Sequence, residues 1–182
     1  MAEIKQVRLS GLGGQGVVLA GLLLGQAGVV EGRYISGSDS YGAQARGSGC
    51  KSEIVFSDGL IDFPHIITAD ILIAMSQGSY NLYCGDVRED SGFIFYDRGL
   101  VTPKEELKVK QLGIPATEVS VKRLKNKQVA NIVLLGALVE TTKIVSPMAL
   151  EKAIAMHISK RFHSLNLKAL RMGMELGRKM NG

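Results

Sequence analysis

Residues 4–30 place a glycine-rich turn between an alternating segment and an almost wholly apolar one. Residues 4–10 alternate apolar and polar side chains, as strands do, and lead directly into Gly11-Leu12-Gly13-Gly14-Gln15-Gly16. Residues 17–30 are rich in Leu, Val, Ala and Gly, which is typical of a helix buried against a sheet. A strand, a glycine turn and a buried helix in this order predict the start of an α/β fold.

The middle of the chain predicts further strands. A short second strand at residues 34–36 completes a βαβ unit, and residues 37–49 are predicted to be a structured loop because they contain four glycines and no sustained periodicity. Ser76 or Ser79 is a candidate N-cap for a helix. The remaining predicted strands are residues 51–57, 71–75 and 92–97, with a weaker one at 114–119.

The second half is predicted to be rich in helices. Apolar residues at helical spacing predict a helix over residues 126–142. Ser146-Pro147 suits the start of another helix through about His163, and Asn166 is a candidate cap for a last one to about Met180. We therefore predict one α/β domain over residues 1–182, with a Rossmann-like, mainly parallel sheet, helices on both faces and a helix-rich C-terminal part.

Composition and charge narrow the classes of function. Residues 1–91 carry 6 Lys/Arg against 10 Asp/Glu, a net −4, and residues 92–182 carry 16 against 7, a net +9. A basic half attracts phosphorylated small molecules or acidic protein surfaces, and many of its lysines simply solvate helix faces. A nucleic-acid partner is not expected, because no aromatic residues are interleaved with the basic ones. No apolar stretch approaches the roughly 18 residues of a membrane span. We therefore expect no membrane partner and a cytoplasmic location.

The glycine motif has two interpretations, one as a phosphate-binding site and one as a structural turn. The spacing of Gly11, Gly13 and Gly16 fits the dinucleotide fingerprint, in which backbone amides at a helix N-terminus approach a phosphate. The other reading is a tight turn that brings the helix against the sheet. A nicotinamide-dependent enzyme also needs an acidic residue near the end of the second strand, and Asp39 falls in the predicted loop instead.

Several motifs resemble those of one protein family over nearly the whole chain. The chain is similar to the gamma subunits of 2-oxoacid:ferredoxin oxidoreductases, the pyruvate/ketoisovalerate oxidoreductase family, with the 2-oxoglutarate type favoured. The segments that carry this resemblance are Gly-Leu-Gly-Gly-Gln-Gly-Val at residues 11–17, Ser-Tyr-Gly followed by Ala45-Arg46-Gly47 at residues 40–47, Ala-Asp-Ile-Leu-Ile-Ala at residues 69–74, Val-Ala-Asn-Ile-Val-Leu-Leu-Gly-Ala at residues 129–137, and Asn-Leu-Lys-Ala-Leu at residues 166–170 before Gly173.

The resemblance implies a subunit of a larger enzyme. Such complexes decarboxylate a 2-oxoacid oxidatively, transfer the acyl group to coenzyme A and pass electrons to an external ferredoxin. The resemblance places thiamine diphosphate with Mg²⁺ between alpha and beta subunits, and the iron–sulfur clusters on partner chains that often include a ferredoxin-like delta subunit. The isolated chain is therefore expected to be inactive.

The candidate ligand-binding residues lie in two segments. Arg46 is the best candidate for binding an anion, because a guanidinium offers a planar fork of donors, or alternatively for pairing with a carboxylate at a subunit interface. No catalytic or metal-ligating residue is predicted: Cys50 and Cys84 are too few for an iron–sulfur cluster, and no serine or cysteine accompanies a recognisable base. The predicted residues, which could hold coenzyme A or contact partner subunits, are Gly11, Gly13, Gly14, Gln15, Gly16, Tyr41, Arg46 and Gly47.

Two other functions fit parts of the sequence. A self-sufficient nucleotide-dependent dehydrogenase would bind a dinucleotide tightly, although the sequence lacks a catalytic constellation for it. A purely structural scaffold would use the glycine turn only to pack against a partner, and no small ligand would stabilise it.

Overall fold

The computed structural model describes residues 3–42 and 47–180. Within them, six strands form one mixed sheet: β1 (Ile4–Leu12), β2 (Tyr34–Tyr41), β3 (Gly49–Ser57), β4 (Ile71–Ala74), β5 (Phe93–Asp97) and β6 (Lys110–Ile114). The order across the sheet is β2-β3-β1-β4-β5-β6. The pairs β1–β4, β4–β5 and β5–β6 are parallel. β3 is antiparallel to both of its neighbours, β1 and β2. The predicted Rossmann-like, mainly parallel sheet is confirmed, with one reversed strand.

Helices cover both faces of this sheet, as predicted. The described helices are α1 (Val17–Val30), α2 (Gln77–Tyr83), α3 (Ala116–Lys122), α4 (Ala130–Thr142), α5 (Pro147–His157) and α6 (His163–Met180). The larger core joins α1, α4, α5 and α6 to alternate strand residues such as Val7, Leu9 and Phe95. On the opposite face, α2 and the loops around Val87 and Val101 cover Leu72 and Ile94. None of the described helices is long and apolar enough to cross a membrane.

Residues 37–41 of the predicted loop at residues 37–49 lie instead in a strand that pairs with the next one as an antiparallel hairpin. β2 extends to Tyr41 instead of ending at residue 36, and β3 begins at Gly49. Glycine and serine have weak strand propensity, but each β2 residue pairs with a β3 residue, from Tyr34 opposite Ser57 to Tyr41 opposite Cys50. Pairing with a neighbouring strand therefore overrode the local signal.

The last two helices start and end at other residues than predicted. Ser146 caps α5 as expected, since its hydroxyl accepts a hydrogen bond from the Ala149 amide at 3.2 Å. The helix stops at His157, because Ile158 is extended. Asn166 lies inside α6, where its side-chain amide donates to the Phe162 carbonyl (2.9 Å), so the predicted cap is wrong.

The weak strand predicted at residues 114–119 is wrong as well. β6 ends at Ile114 and α3 follows after Pro115. Asp97, at the carboxyl end of β5, is buried and accepts a hydrogen bond from the Thr117 amide at 2.8 Å. A carboxylate at this position satisfies an amide of the first helical turn, which favours a helix where the sequence alternates weakly.

Helices α4 and α6 pack with almost no space between their backbones. A Cβ atom on Gly173 would collide with the Val133 carbonyl oxygen, and one on Gly136 would collide with the Leu170 carbonyl oxygen. α4 is buried from Ala130 to Val139 as a result. Two glycines that face each other across a helix pair therefore set the distance between α4 and α6.

Gly173→Ala is expected to lower the free energy of unfolding by about 1–3 kcal/mol, because the added methyl group must push two backbones apart. Urea denaturation of the two proteins measures the difference. Gly78→Ala is the matched control: it also lies in a helix, but a Cβ atom there meets nothing within 4 Å. The control is expected to be neutral or stabilising by up to about 1 kcal/mol. Equal stability of the two variants would contradict this account of the α4–α6 contact.

Glu140 links the same two helices through charge. Its carboxylate accepts a hydrogen bond from Arg178 on α6 (3.2 Å) and lies 3.2 Å from the Lys143 ammonium. The Arg178 hydrogen bond is the main reason that the pKa of Glu140 is lowered from its usual 4.5, with burial opposing it and Lys143 adding to it. A carboxyl whose pKa is lower in the folded than in the unfolded protein stabilises the fold at pH values above its unfolded-state pKa. This stabilisation disappears as the pH falls through the folded-state pKa.

Glu140→Gln should therefore lower stability near pH 7, and the difference from wild type should shrink as the pH falls below 4.5 and through the lowered pKa of the folded protein. Thermal unfolding at a series of pH values tests this. Glu175→Gln is the control, because this exposed carboxylate has no ion pair among the described residues. The explanation fails if the Glu140→Gln and wild-type curves stay parallel from pH 7 to pH 3.

Candidate functional site

The carboxyl ends of β1 and β4 form the crevice at which α/β sheets of this type bind ligands. From β1 the chain passes through α1 to β2, which lies toward one edge strand of the sheet. From β4 it passes through α2 to β5, which lies toward the other edge strand. α1 and α2 lie on opposite faces of the sheet, so the two connections diverge and leave a gap between the strand ends. The glycine turn forms one wall of this gap.

Gly16 meets two requirements that only glycine satisfies together. It caps α1 in the left-handed conformation, with φ 75°. Its carbonyl accepts hydrogen bonds from the Ala20 amide (2.9 Å) and from the side-chain amide of Asn131 (3.0 Å). A Cβ atom on Gly16 would collide with the Asn131 side chain. Asn131, at the start of α4, thus holds the end of the turn.

Gln15 fastens β1 to β4 across the crevice. Its side-chain nitrogen donates to the Met75 carbonyl at 2.7 Å, and its side-chain oxygen accepts from the Leu12 amide at 2.7 Å. Gly11 leaves space for this side chain, since a Cβ atom there would meet the Gln15 oxygen first. The structure therefore gives Gln15 two partners within the protein, and its predicted ligand contact stays a prediction.

Gly47 and Ser48, just before β3, contact the glycine turn. Gly13 donates its amide to the Ser48 carbonyl (2.9 Å), and its own carbonyl accepts from the Gly47 amide (3.3 Å). The structure thus brings together the two segments in which the ligand-binding residues were predicted. Tyr41 lies at the end of β2 with an exposed side chain. Arg46, the predicted anion-binding residue, lies outside the described residues.

A cleft of about 440 Å³ lies beside this contact, between the hairpin and α2. Leu12, Tyr41, Leu82 and Tyr83 form its apolar walls, and Lys51 lies among them. A volume of this order is within the range of small-molecule sites.

Lys51 belongs to a network of charged and aromatic groups that the sequence analysis missed. Its ammonium lies 3.1 Å from Glu53 and 5.9 Å from the centre of the Tyr83 ring. The second oxygen of Glu53 accepts a hydrogen bond from Arg8 at 2.7 Å, and the Arg8 guanidinium lies 4.7 Å from the same ring. The available signal for this network was the presence of two opposite charges, Arg8 and Glu53, within predicted strands.

Cys50 also lines the cleft and is half-buried. Burial, with a smaller contribution from the charge of Asp39, raises the pKa of its thiol above 9.0. The protonated thiol therefore predominates near neutral pH, which does not suit a nucleophile.

The position of Asp39 disfavours a nicotinamide site. Asp39 lies within β2, not in the predicted loop. In dinucleotide-binding folds the strand with the acidic residue is next to the first strand, whereas here β3 separates β2 from β1. Two strand spacings place β2 about 10 Å from β1. Asp39 is therefore too far across the sheet to act as the usual partner of a ribose at the glycine turn.

Comparison with known proteins gives consistent results. A family model described as pyruvate ferredoxin/flavodoxin oxidoreductase matches residues 6–176. The 2-oxoglutarate synthase subunit KorC of Methanocaldococcus jannaschii is 41% identical over 179 residues, which cover 97% of this chain and 95% of that protein.

Two solved structures share the fold. The gamma subunit of a keto/oxoacid ferredoxin oxidoreductase from Geobacter sulfurreducens has a TM-score of 0.85 at 35% identity, covering 96% of this chain and 99% of that one. The 2-oxoglutarate:ferredoxin oxidoreductase from Magnetococcus marinus, solved with 2-oxoglutarate, coenzyme A and succinyl-CoA bound, has a TM-score of 0.87 at 21% identity. The match covers 97% of this chain and 31% of that longer one, and it shows a common fold.

Gln15→Glu is expected to destabilise the protein by about 1–3 kcal/mol, because a carboxylate cannot donate to the Met75 carbonyl and repels it. Urea denaturation provides the measurement. Gln128→Glu, the same change at an exposed side chain, is the control and should alter stability by less than about 0.5 kcal/mol. If both variants unfold at the wild-type urea concentration, Gln15 does not join β1 to β4 in solution.

Proposed function

Because the chain belongs to the pyruvate ferredoxin/flavodoxin oxidoreductase family, we propose that it is the gamma subunit of a multi-subunit 2-oxoglutarate:ferredoxin oxidoreductase. The complex would decarboxylate 2-oxoglutarate oxidatively, form the acyl-CoA and pass the electrons to ferredoxin. The observation that carries this proposal is the 41% identity with a 2-oxoglutarate synthase subunit over nearly the full length of both proteins.

The residues of this chain support a division of labour within such a complex. Its two cysteines are fewer than the roughly four thiolates that an iron–sulfur cluster takes, so the clusters belong on partner chains. The only approximation to a thiamine-associated magnesium motif is Asp58-Gly59 followed by Asn81. Asp58 follows the reversed strand β3, whose last residue pairs with the amino end of β1, and it contacts Arg33 at 3.3 Å. Asn81 lies on α2, which follows the carboxyl end of β4, so the two residues lie at opposite ends of the strands. Decarboxylation is therefore assigned to alpha and beta subunits.

Coenzyme A is the cofactor for which this chain offers a suitable site. The crevice combines a helix N-terminus behind a glycine turn with an adjacent cleft, and anionic phosphates suit such a helix end. Residues 1–182 would act as one gamma-type domain in a cytoplasmic complex with alpha and beta subunits and a ferredoxin-like delta subunit. The glycine turn and hairpin would then face coenzyme A, a partner subunit, or both.

Co-purification tests the proposal. A tagged copy, isolated anaerobically from its native cells, is expected to bring down subunits that contain thiamine diphosphate and iron–sulfur clusters. The purified complex should reduce a dye only when coenzyme A and 2-oxoglutarate are both present. Pyruvate and 2-oxoisovalerate, each tested in place of 2-oxoglutarate, are the comparison substrates. An untagged strain controls for adventitious recovery. A chain that is recovered alone and binds NAD would contradict the proposal and favour a dehydrogenase.

A further inference from the structure

A groove of about 230 Å³ lies between α3 and α6. Both helices pack against α4, and residues of both line the space between them. Three apolar side chains in this lining, Val119, Met172 and Leu176, are only partly buried. A molecule that covers the groove would therefore remove apolar surface from water, which favours association.

Positive charge predominates around these apolar side chains. Glu118 serves two of the cations, since its carboxylate lies 3.0 Å from Lys122 and 3.7 Å from Arg98. Arg123 and Lys179 have no ion pair among the described residues. The charged residues of the lining, four cations and two carboxylates, are Arg98, Lys122, Arg123, Lys179, Glu118 and Glu175. The groove therefore carries a net positive charge and offers two cations to carboxylates of another molecule.

The positive charge continues along the chain beside the groove. Residues 119–139 contain four Lys/Arg and no Asp or Glu. Lys125 and Lys127, in the connection from α3 to α4, are exposed and also lack an ion pair within the described part of the chain. A solvated surface usually mixes charges of both signs, so this separation of charge indicates a surface that attracts negatively charged groups.

The groove lies at the same end of the sheet as the glycine turn. Arg98 follows β5 and Pro115 follows β6, and both strands run parallel with β1, whose carboxyl end leads into the turn. The basic connection also ends shortly before Asn131, whose side-chain amide donates to the Gly16 carbonyl at 3.0 Å. A protein bound in the groove would therefore be held at the end of the sheet where the candidate site lies.

The lining indicates what kind of molecule binds. The groove is smaller than the roughly 300–1,000 Å³ of typical small-molecule sites, and apolar residues with charged residues around them are the pattern of a protein–protein contact. An inorganic anion would make no use of Met172 and Leu176. We propose that the groove binds an acidic segment of a partner subunit, with an apolar side chain against Met172 and Leu176 and carboxylates on Arg123 and Lys179. The existence of that subunit rests on the proposed function.

Carbodiimide cross-linking of the purified complex tests the contact, because this reagent joins an ammonium group directly to a carboxylate. We expect Lys179 to be joined to an Asp or Glu of another subunit, and mass spectrometry of the digested complex identifies both residues. Lys152, an exposed lysine of α5 without an ion pair among the residues described, controls for general surface reactivity and should stay unlinked.

Two results of the cross-linking would contradict the inference. One is an intact complex in which neither Lys122 nor Lys179 is joined to another subunit. The other is a cross-link that forms only after ferredoxin is added, because the groove would then bind the electron acceptor and not a subunit.

Charge reversal provides a second measurement. The double variant Arg123→Glu/Lys179→Glu should release the partner subunit at about half the NaCl concentration that dissociates the wild-type complex, because the groove becomes net negative and repels an acidic segment. Gel filtration at a series of NaCl concentrations gives the dissociation midpoints. Lys108→Glu/Lys152→Glu, the same change of charge at two other exposed lysines, is the matched control.

The outcomes separate this inference from the proposed function. Dissociation of both double variants at the same NaCl concentration would overturn the inference and leave the complex established. Recovery of the wild-type chain without any partner subunit would overturn the proposed function, and this inference with it.

Discussion

The buried guanidinium of Arg8 is the interaction on which the arrangement around the central strand depends. Arg8 lies in β1, between β3 and β4, and is only 4% exposed. It donates to Glu53 in β3 and to the Ile66 carbonyl (3.1 Å) in the segment that follows, and it lies over the ring of Tyr83 at the end of α2. A buried charge without its partners is strongly destabilising, so these three segments must adopt positions that satisfy it. Through Glu53, the same network holds Lys51 in the cleft.

The glycine turn depends in turn on the second half of the chain. Asn131 lies 115 residues after Gly16 and hydrogen-bonds its carbonyl, while the Asn131 side-chain oxygen accepts from the Ile132 amide at 2.9 Å. The α4 helix that carries Asn131 is itself held against α6 by the contact between Gly136 and Gly173. Packing of α4 against α6 therefore fixes the position of Asn131 and, through it, the glycine turn at the candidate site. The stability of the core and the geometry of the turn are connected in this way.

Family membership and geometry together support the proposed role of this chain, which is to position a cofactor for partner subunits. Neither its two cysteines nor its Asp58-Gly59 turn provides for a cluster or a thiamine-bound metal, whereas the crevice and cleft lie side by side at one edge of the sheet. The Gly13–Ser48 and Gly47–Gly13 hydrogen bonds join the two halves of that edge. A subunit with this proposed role needs such an edge more than it needs a nucleophile, because partner chains carry out the chemistry.

The sequence by itself determined the strand–turn–helix start, the mainly parallel sheet and the alternation of strands and helices, because apolar periodicity and glycine spacing are local properties of the chain. It also pointed to the two segments, 11–16 and 41–47, that meet in the structure. Only the tertiary structure decided that β3 is reversed and inserted between β1 and β2, that residues 37–41 form a strand, and that Lys51, Glu53 and Arg8 share one network. These features arise from pairing between segments far apart in the sequence, and strand pairing and buried charge are satisfied by neighbours in space that local patterns do not identify.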